Sequence, residues 1–169
     1  MRFFIALLFL GLSAQGWSMG IGLTEDVARK ESDIIAHVRI VTTTPASSSF
    51  PTTTDVSEHK TDSFSRVAIA RVLTAVKGCK EGDTIKPAFD NGFGCPNVNY
   101  TEKEECLVFL KKSPEGPYHT MNLYCGRFTM EEGQVLYFYL MQPAGQPAKS
   151  VPLATALAWL REPPVTAQP

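Results

Sequence analysis

Apolar and polar positions alternate over Ile34–Val41 (IIAHVRIV), with Ile34, Ala36, Val38 and Ile40 on one side and His37 and Arg39 on the other. A period of two predicts a half-buried strand. Phe64–Val76 (FSRVAIARVLTAV) is a second, longer β-type run, and Lys77–Asp83 after it carries two glycines and several charges, which predicts a hairpin turn. Thr84–Phe89 returns as a short strand, and Pro87, which has no N–H to donate, assigns it to an edge or a bulge. Cys106–Lys111 (CLVFLK) is almost continuously apolar and reads as a central strand; Ser113–Pro117 is turn chemistry, Tyr118–Cys125 leads into a fifth strand, and Val135–Leu140 adds a sixth.

The period changes near the two ends. Thr24–Glu31 predicts a short polar helix with Thr24 as N-cap, Glu25 and Asp26 in the first turn, and Leu23 and Val27 toward the core. Leu153, Ala156, Leu157 and Leu160 fall at i, i+3, i+4 and i+7, so a docking helix is expected at about 152–161, stopped by Pro163 and Pro164. The order is helix, five or six strands, helix, which describes a small, mostly antiparallel β domain. Thr42–Ser63 is rich in Ser, Thr and Pro and has no hydrophobic period, so 42–63 is expected to be a long flexible loop.

Met1–Ser18 has one Arg, an apolar run from Phe3 to Leu12 and a small-residue flank, the layout of a secretory signal peptide cleaved after Gly16 or Ser18. Its apolar core is too short for a membrane-spanning helix, and no later stretch is long and apolar enough, so no integral membrane span is expected after cleavage. The expected organisation is then a leader at 1–18, a β domain at 19–141 and a C-terminal segment at 142–169, in a secreted or periplasmic protein. A formal net charge of -1 and a pI near 6.3 argue against nucleic acid as a partner. At 44% hydrophobic residues the chain has enough apolar side chains for a core.

Four cysteines, Cys79, Cys95, Cys106 and Cys125, follow the leader. An even number in a short exported chain favours two disulfides over a metal site, and no close Cys pair provides zinc-ligand spacing. Four cysteines allow three connectivities, and the spacing does not choose among them. His37, His59 and His119 are widely separated, and neither HExxH nor GxSxG occurs, so no metalloprotease or serine hydrolase is signalled. His37 and His119 read as strand-surface residues. The adjacent acids Glu104 and Glu105, and Glu131 and Glu132, should point to opposite faces or sit in turns, solvated, and form no catalytic dyad. No catalytic residue, cofactor or metal ligand is assigned.

Several of these strings, Ser32-Asp33-Ile34-Ile35-Ala36, Val76-Lys77-Gly78, Gly82-Asp83-Thr84-Ile85, Cys95, Cys106–Leu110 and Leu123-Tyr124-Cys125, resemble netrin-like domains. These are the oligosaccharide/oligonucleotide-binding (OB) barrels shared with tissue inhibitors of metalloproteinases, and similar small domains occur in exported bacterial proteins. The resemblance covers about 31–126 and implies a five- to six-stranded antiparallel OB-type barrel. It implies a Cys95–Cys125 bridge, which leaves Cys79 and Cys106 to pair. It also departs from the inhibitors: their mature chains start with a zinc-chelating Cys, and this one would start at Trp17 or Met19.

OB barrels bind on the face of their second and third strands and on the adjoining loops. The expected function is therefore an exported, disulfide-bonded, non-enzymatic binding module, with an unidentified protein or envelope partner and with Phe50 and Val56 of the 42–63 loop as contacts. The alternatives are an exported hydrolase or thiol enzyme, separated by titrating free thiols, and a structural protein of the cell envelope.

Overall fold

The structure, a computed structural model, describes residues 23–50, 64–89, 98–112, 118–121, 123–142 and 146–163. The leader expected at 1–18, Val56 and Cys95 lie outside the described residues. Helix α1 spans Glu25–Glu31, and its N-cap is the expected one, with the Thr24 hydroxyl accepting from the Val27 N–H at 3.3 Å. The strands follow as β1 (Ile34–Phe50), β2 (Phe64–Lys77), β3 (Thr84–Ile85), β4 (Pro87–Phe89), β5 (Glu105–Lys112), β6 (Tyr118–Thr120), β7 (Arg127–Glu131), β8 (Gln134–Val135) and β9 (Val151–Pro152). Helix α2, Leu153–Arg161, completes the order.

Among the described residues, β1, β2, β4, β6 and β5 form a closed five-stranded barrel. β1 pairs antiparallel with β2 on one side and with β5 on the other, while β4 and β6 close the remaining gap as a parallel pair. With β4 taken as the third barrel strand, the order around the barrel is first, second, third, fifth, fourth, and back to the first. That is the order of a small OB-type barrel.

Alternation in the central strands divides the apolar residues between two cores. Cys106, Val108 and Leu110 of β5 point into the barrel with Ile34, Ala36, Val38 and Ile40 of β1 and Ala68, Ala70 and Val72 of β2. Leu107 and Phe109 point the other way, with Ile35, and are covered by Leu23 and Ala28 at the N-terminal end and by Phe138, Ala156, Leu157 and Leu160 at the C-terminal end. β5 carries a buried side chain on every position from Cys106 to Leu110 because both of its faces are covered, which is why its sequence shows no alternation. The apolar stripe expected on α2 is the side it buries, with Leu153 partly covered.

Four expectations need correction. Thr42–Phe50 is not loop: β1 continues through it, paired with β2 up to Phe50 opposite Phe64, so the Ser/Thr-rich composition forms one arm of a ribbon that projects past the barrel. Residues 51–63 lie outside the described residues. Thr84–Phe89 is not one strand, because Lys86 separates β3 from β4 where Pro87 interrupts the ladder. The strand expected at Val135–Leu140 ends at Val135, and a 3-10 turn occupies Tyr139–Met141. Likewise Leu123–Gly126 is a 3-10 turn, and the strand that follows, β7, lies in a stretch where no strand was expected.

The resemblance leaves Cys79 and Cys106 to pair. Lys77 stands opposite Ile35, and a Cβ on Gly78 would lie 1.8 Å from the Asp33 carbonyl oxygen, so Cys79 follows at the level of Asp33. Cys106 lies across the other side of β1, opposite Val38. Among the described residues, Cys79, Cys106 and Cys125 form no bridge with one another.

Candidate binding face

The outward side of β1, β2, β3 and the start of β5 carries a group of polar side chains. Its composition follows from the alternation that fills the core. Val38, Ile40, Ala70, Val72 and Ile85 point in, so His37, Arg39, Arg71, Thr84 and Lys86 point out. Arg39 lies directly opposite Arg71, and Arg71 opposite Thr84. Two register shifts bracket the arginine pair: one leaves Leu73 as an extra residue on β2, the other leaves Val41 as an extra residue on β1, 55% exposed. Bulges increase local twist and redirect side chains. Here they lie where the ribbon leaves the barrel.

Glu105 joins this face from β5. One carboxylate oxygen accepts from Arg39, with Nε at 3.0 Å, and the other lies 3.0 Å from His37 Nε2. The Arg39 hydrogen bonds, aided by His37, hold the Glu105 carboxyl below the usual glutamate range against the opposing effect of burial. His37 is only 5% exposed, contrary to the expectation of a surface histidine. With Nε2–H given to Glu105, its Nδ1 is buried without a partner. The pair has the look of a histidine oriented by a carboxylate; among the described residues no hydroxyl or thiol is bonded to the ring.

Neighbouring acids take opposite sides of β5, as alternation requires, but they are not simply solvated. Glu104 pairs with Arg127 at 2.5 Å toward the barrel mouth, where the Arg127 guanidinium also lies over the Tyr100 ring. Tyr100 and Thr120 share a hydrogen bond of 2.7 Å in the same cluster, and burial pushes the Tyr100 phenol well above its ordinary range. Cys106 is buried beside them, and desolvation pushes its thiol up to about 12. That makes it a poor nucleophile. His119, on β6, is held below the ordinary histidine range by burial and by Lys111.

The free edge of β1 is closed off where it leaves β5. The Ile40 N–H donates to the Glu104 carbonyl and the Lys103 N–H to the Ile40 carbonyl. Next, the Glu102 carboxylate accepts from the Thr42 hydroxyl at 2.7 Å and the Thr43 N–H at 3.3 Å, which lowers its pKa. Pro45 follows and has no N–H. An edge occupied in this way is a poor template for an added strand.

The structure brings His37, Arg39 and Glu105 together and places Phe50 far from them, at the distal end of β1. Eleven residue steps along the strand lead from Arg39 to Phe50, a contour of roughly 35 Å. The sequence pattern had put His37 and Arg39 on one face; it held no signal that β5 would bring Glu105 to that face. Comparison with family models, with curated proteins and with solved structures finds no match to this chain.

Proposed function

We propose that the protein is an exported, non-enzymatic binding module of netrin-like OB type, which holds a protein partner of the cell envelope against the outward barrel face and the β1–β2 ribbon. One observation carries this reading. β1 runs for 17 residues and β2 for 14, whereas β5 pairs with β1 only over Ile34–Arg39, and β3 and β4 together reach β2 only at Arg66–Arg71. Beyond Arg39, β1 is paired by β2 alone and runs past its partner β5, while β2 stays tied to β3 and β4 over Arg66–Arg71. OB barrels use this face and the connection between their first two strands for ligands. Export is inferred from the Met1–Ser18 pattern and the cysteine count, with Cys95–Cys125 as the bridge the resemblance implies.

Excision of Ser47–Thr61 tests the assignment. It leaves five residues, Ala46, Asp62, Ser63, Phe64 and Ser65, to join Pro45 to Arg66, a length that closes a hairpin. The shortened protein is expected to keep its far-UV circular dichroism and thermal transition and to lose the partner that the full chain retains on affinity capture from the native exported fraction. Equal capture by both proteins would remove the ribbon from the binding surface.

A further inference from the structure

The outward face holds cationic charge that the fold does not use. Arg39 and Arg71 stand directly opposite each other on adjacent strands, an arrangement that is destabilising on its own account. Glu105 offsets Arg39 alone. Arg71 and Lys86 make no ion pair or hydrogen bond among the described residues, and their registers, Arg71 opposite Thr84 and Lys86 two residues further on the same side, make them diagonal neighbours. Three cations thus form a stripe across β1, β2 and the β3–β4 junction, on a chain whose formal charge is -1. The nearest acids are otherwise engaged. Glu105 is shared by Arg39 and His37, and the Asp83 carboxylate accepts from the Lys80 N–H at 2.8 Å.

We propose that this stripe recognises a carboxylate-rich, extended protein segment, with Arg71 and Lys86 as the principal contacts and Arg39 shared between Glu105 and the partner. The inference rests on the reading of the chain as a binding module and adds the chemistry of what it binds. Charge complementarity favours carboxylates over a phosphate backbone. Three cations within about 10–15 Å, estimated from strand spacing and side-chain reach, suit two or three acidic side chains. The stripe is only three cations long, whereas the continuous charge of a nucleic acid needs a longer basic track. The outer edge of β1 is occupied from Ile34 to Thr43, so beside the stripe side-chain charge provides the selectivity.

The test uses the processed full chain and a fluorescein-labelled ten-residue oligoglutamate, read by anisotropy, with oligoglutamine and a ten-nucleotide single-stranded DNA as comparators. Oligoglutamate is expected to bind, with affinity falling about tenfold in the double variant Arg71→Glu, Lys86→Glu and falling again as salt is raised. Lys30→Glu, a reversal on exposed α1 whose partner is Asp26, is expected to leave binding unchanged. Folding of the double variant is checked by its urea midpoint, which should hold or rise because Arg71→Glu sets a carboxylate opposite Arg39 in place of a second guanidinium. Equal loss in Lys30→Glu, absence of oligoglutamate binding, or tighter binding of the DNA would each overturn the proposal. If the double variant still captures the native partner while the Ser47–Thr61 excision loses it, the stripe assignment falls and the module reading stands.

Discussion

At the scale of single residues, the polar chemistry of this protein is decided by neighbours that sequence proximity does not reveal. Glu104 and Glu105 are adjacent and point to opposite sides of one strand, so one meets Arg127 and the other Arg39 and His37. Because the Glu105 pKa is depressed, mainly by its Arg39 hydrogen bonds, its contribution to stability is fully present above the ordinary carboxylate range and is lost as pH falls through the lowered value. Glu105→Gln removes that charge and should cost about 1–2 kcal/mol near neutrality. The urea midpoints of the two proteins should converge as pH falls below the ordinary glutamate range, through the lowered Glu105 value. A gap that stayed constant over that range would show that the residue acts by packing and not by charge.

Elements are joined by one side chain more than by any other. Arg29 of α1 lies almost entirely buried and donates to three carbonyls at the end of α2: Leu160 at 3.0 Å and Glu162 at 2.6 Å through one terminal nitrogen, and Trp159 at 2.7 Å through the other. Its Nε lies 2.9 Å from the Glu25 carboxylate as an ion pair, without hydrogen-bond alignment, and its guanidinium stacks 4.0 Å from the Trp159 ring centre. A cation at a helix C-terminus satisfies carbonyls that the helix itself leaves unpaired. Arg29→Ala should cost about 3 kcal/mol. Arg29→Lys should recover less than half of that, because one ammonium cannot address three divergent carbonyls and the ring together. Urea denaturation of the two variants measures both figures, and equal stability of Lys and wild type would reduce the contact to simple charge. The sequence makes α1 and α2 legible through a Thr cap and a four-residue stripe, signals contained within one turn or two. Their mutual lock spans 131 residues between Arg29 and Leu160, and no local pattern encodes it. The same distinction separates the strands. β1 and the central β5 announce themselves by alternation and apolar density, whereas β7 and the distal half of β1 are polar and are strands only because a partner lies beside them.

For the whole molecule, the two cores imply that barrel and helices stabilise each other. The interior core is enclosed by the five barrel strands, but the second lies on the outside of β1 and β5 and depends on α1, α2 and the Phe138 region for its cover. Phe128 sits at its centre, with Phe109, Phe138 and Tyr139 around it at ring separations of 4.9–5.9 Å, and Trp159 of α2 packs on Phe138 at 5.7 Å. Removing 150–169 would uncover Leu107, Phe109 and Phe128 and withdraw Leu157, Leu160 and Trp159. At about 1.5–3 kcal/mol per large buried side chain, the loss reaches the total stability expected of a domain this size, about 5–15 kcal/mol. A chain ending at Lys149 should therefore fail to fold cooperatively, bind a hydrophobic dye and lose its thermal transition. Leu160→Ala should keep the transition at a cost of about 2–5 kcal/mol. A truncated chain with an unchanged transition would mean that the barrel is self-sufficient and α2 an appendage. The proposed binding face, on a different part of the barrel surface, could then be transplanted without it; if truncation unfolds the chain, the ribbon and its cationic stripe are held in place by a helix at the far end of the sequence.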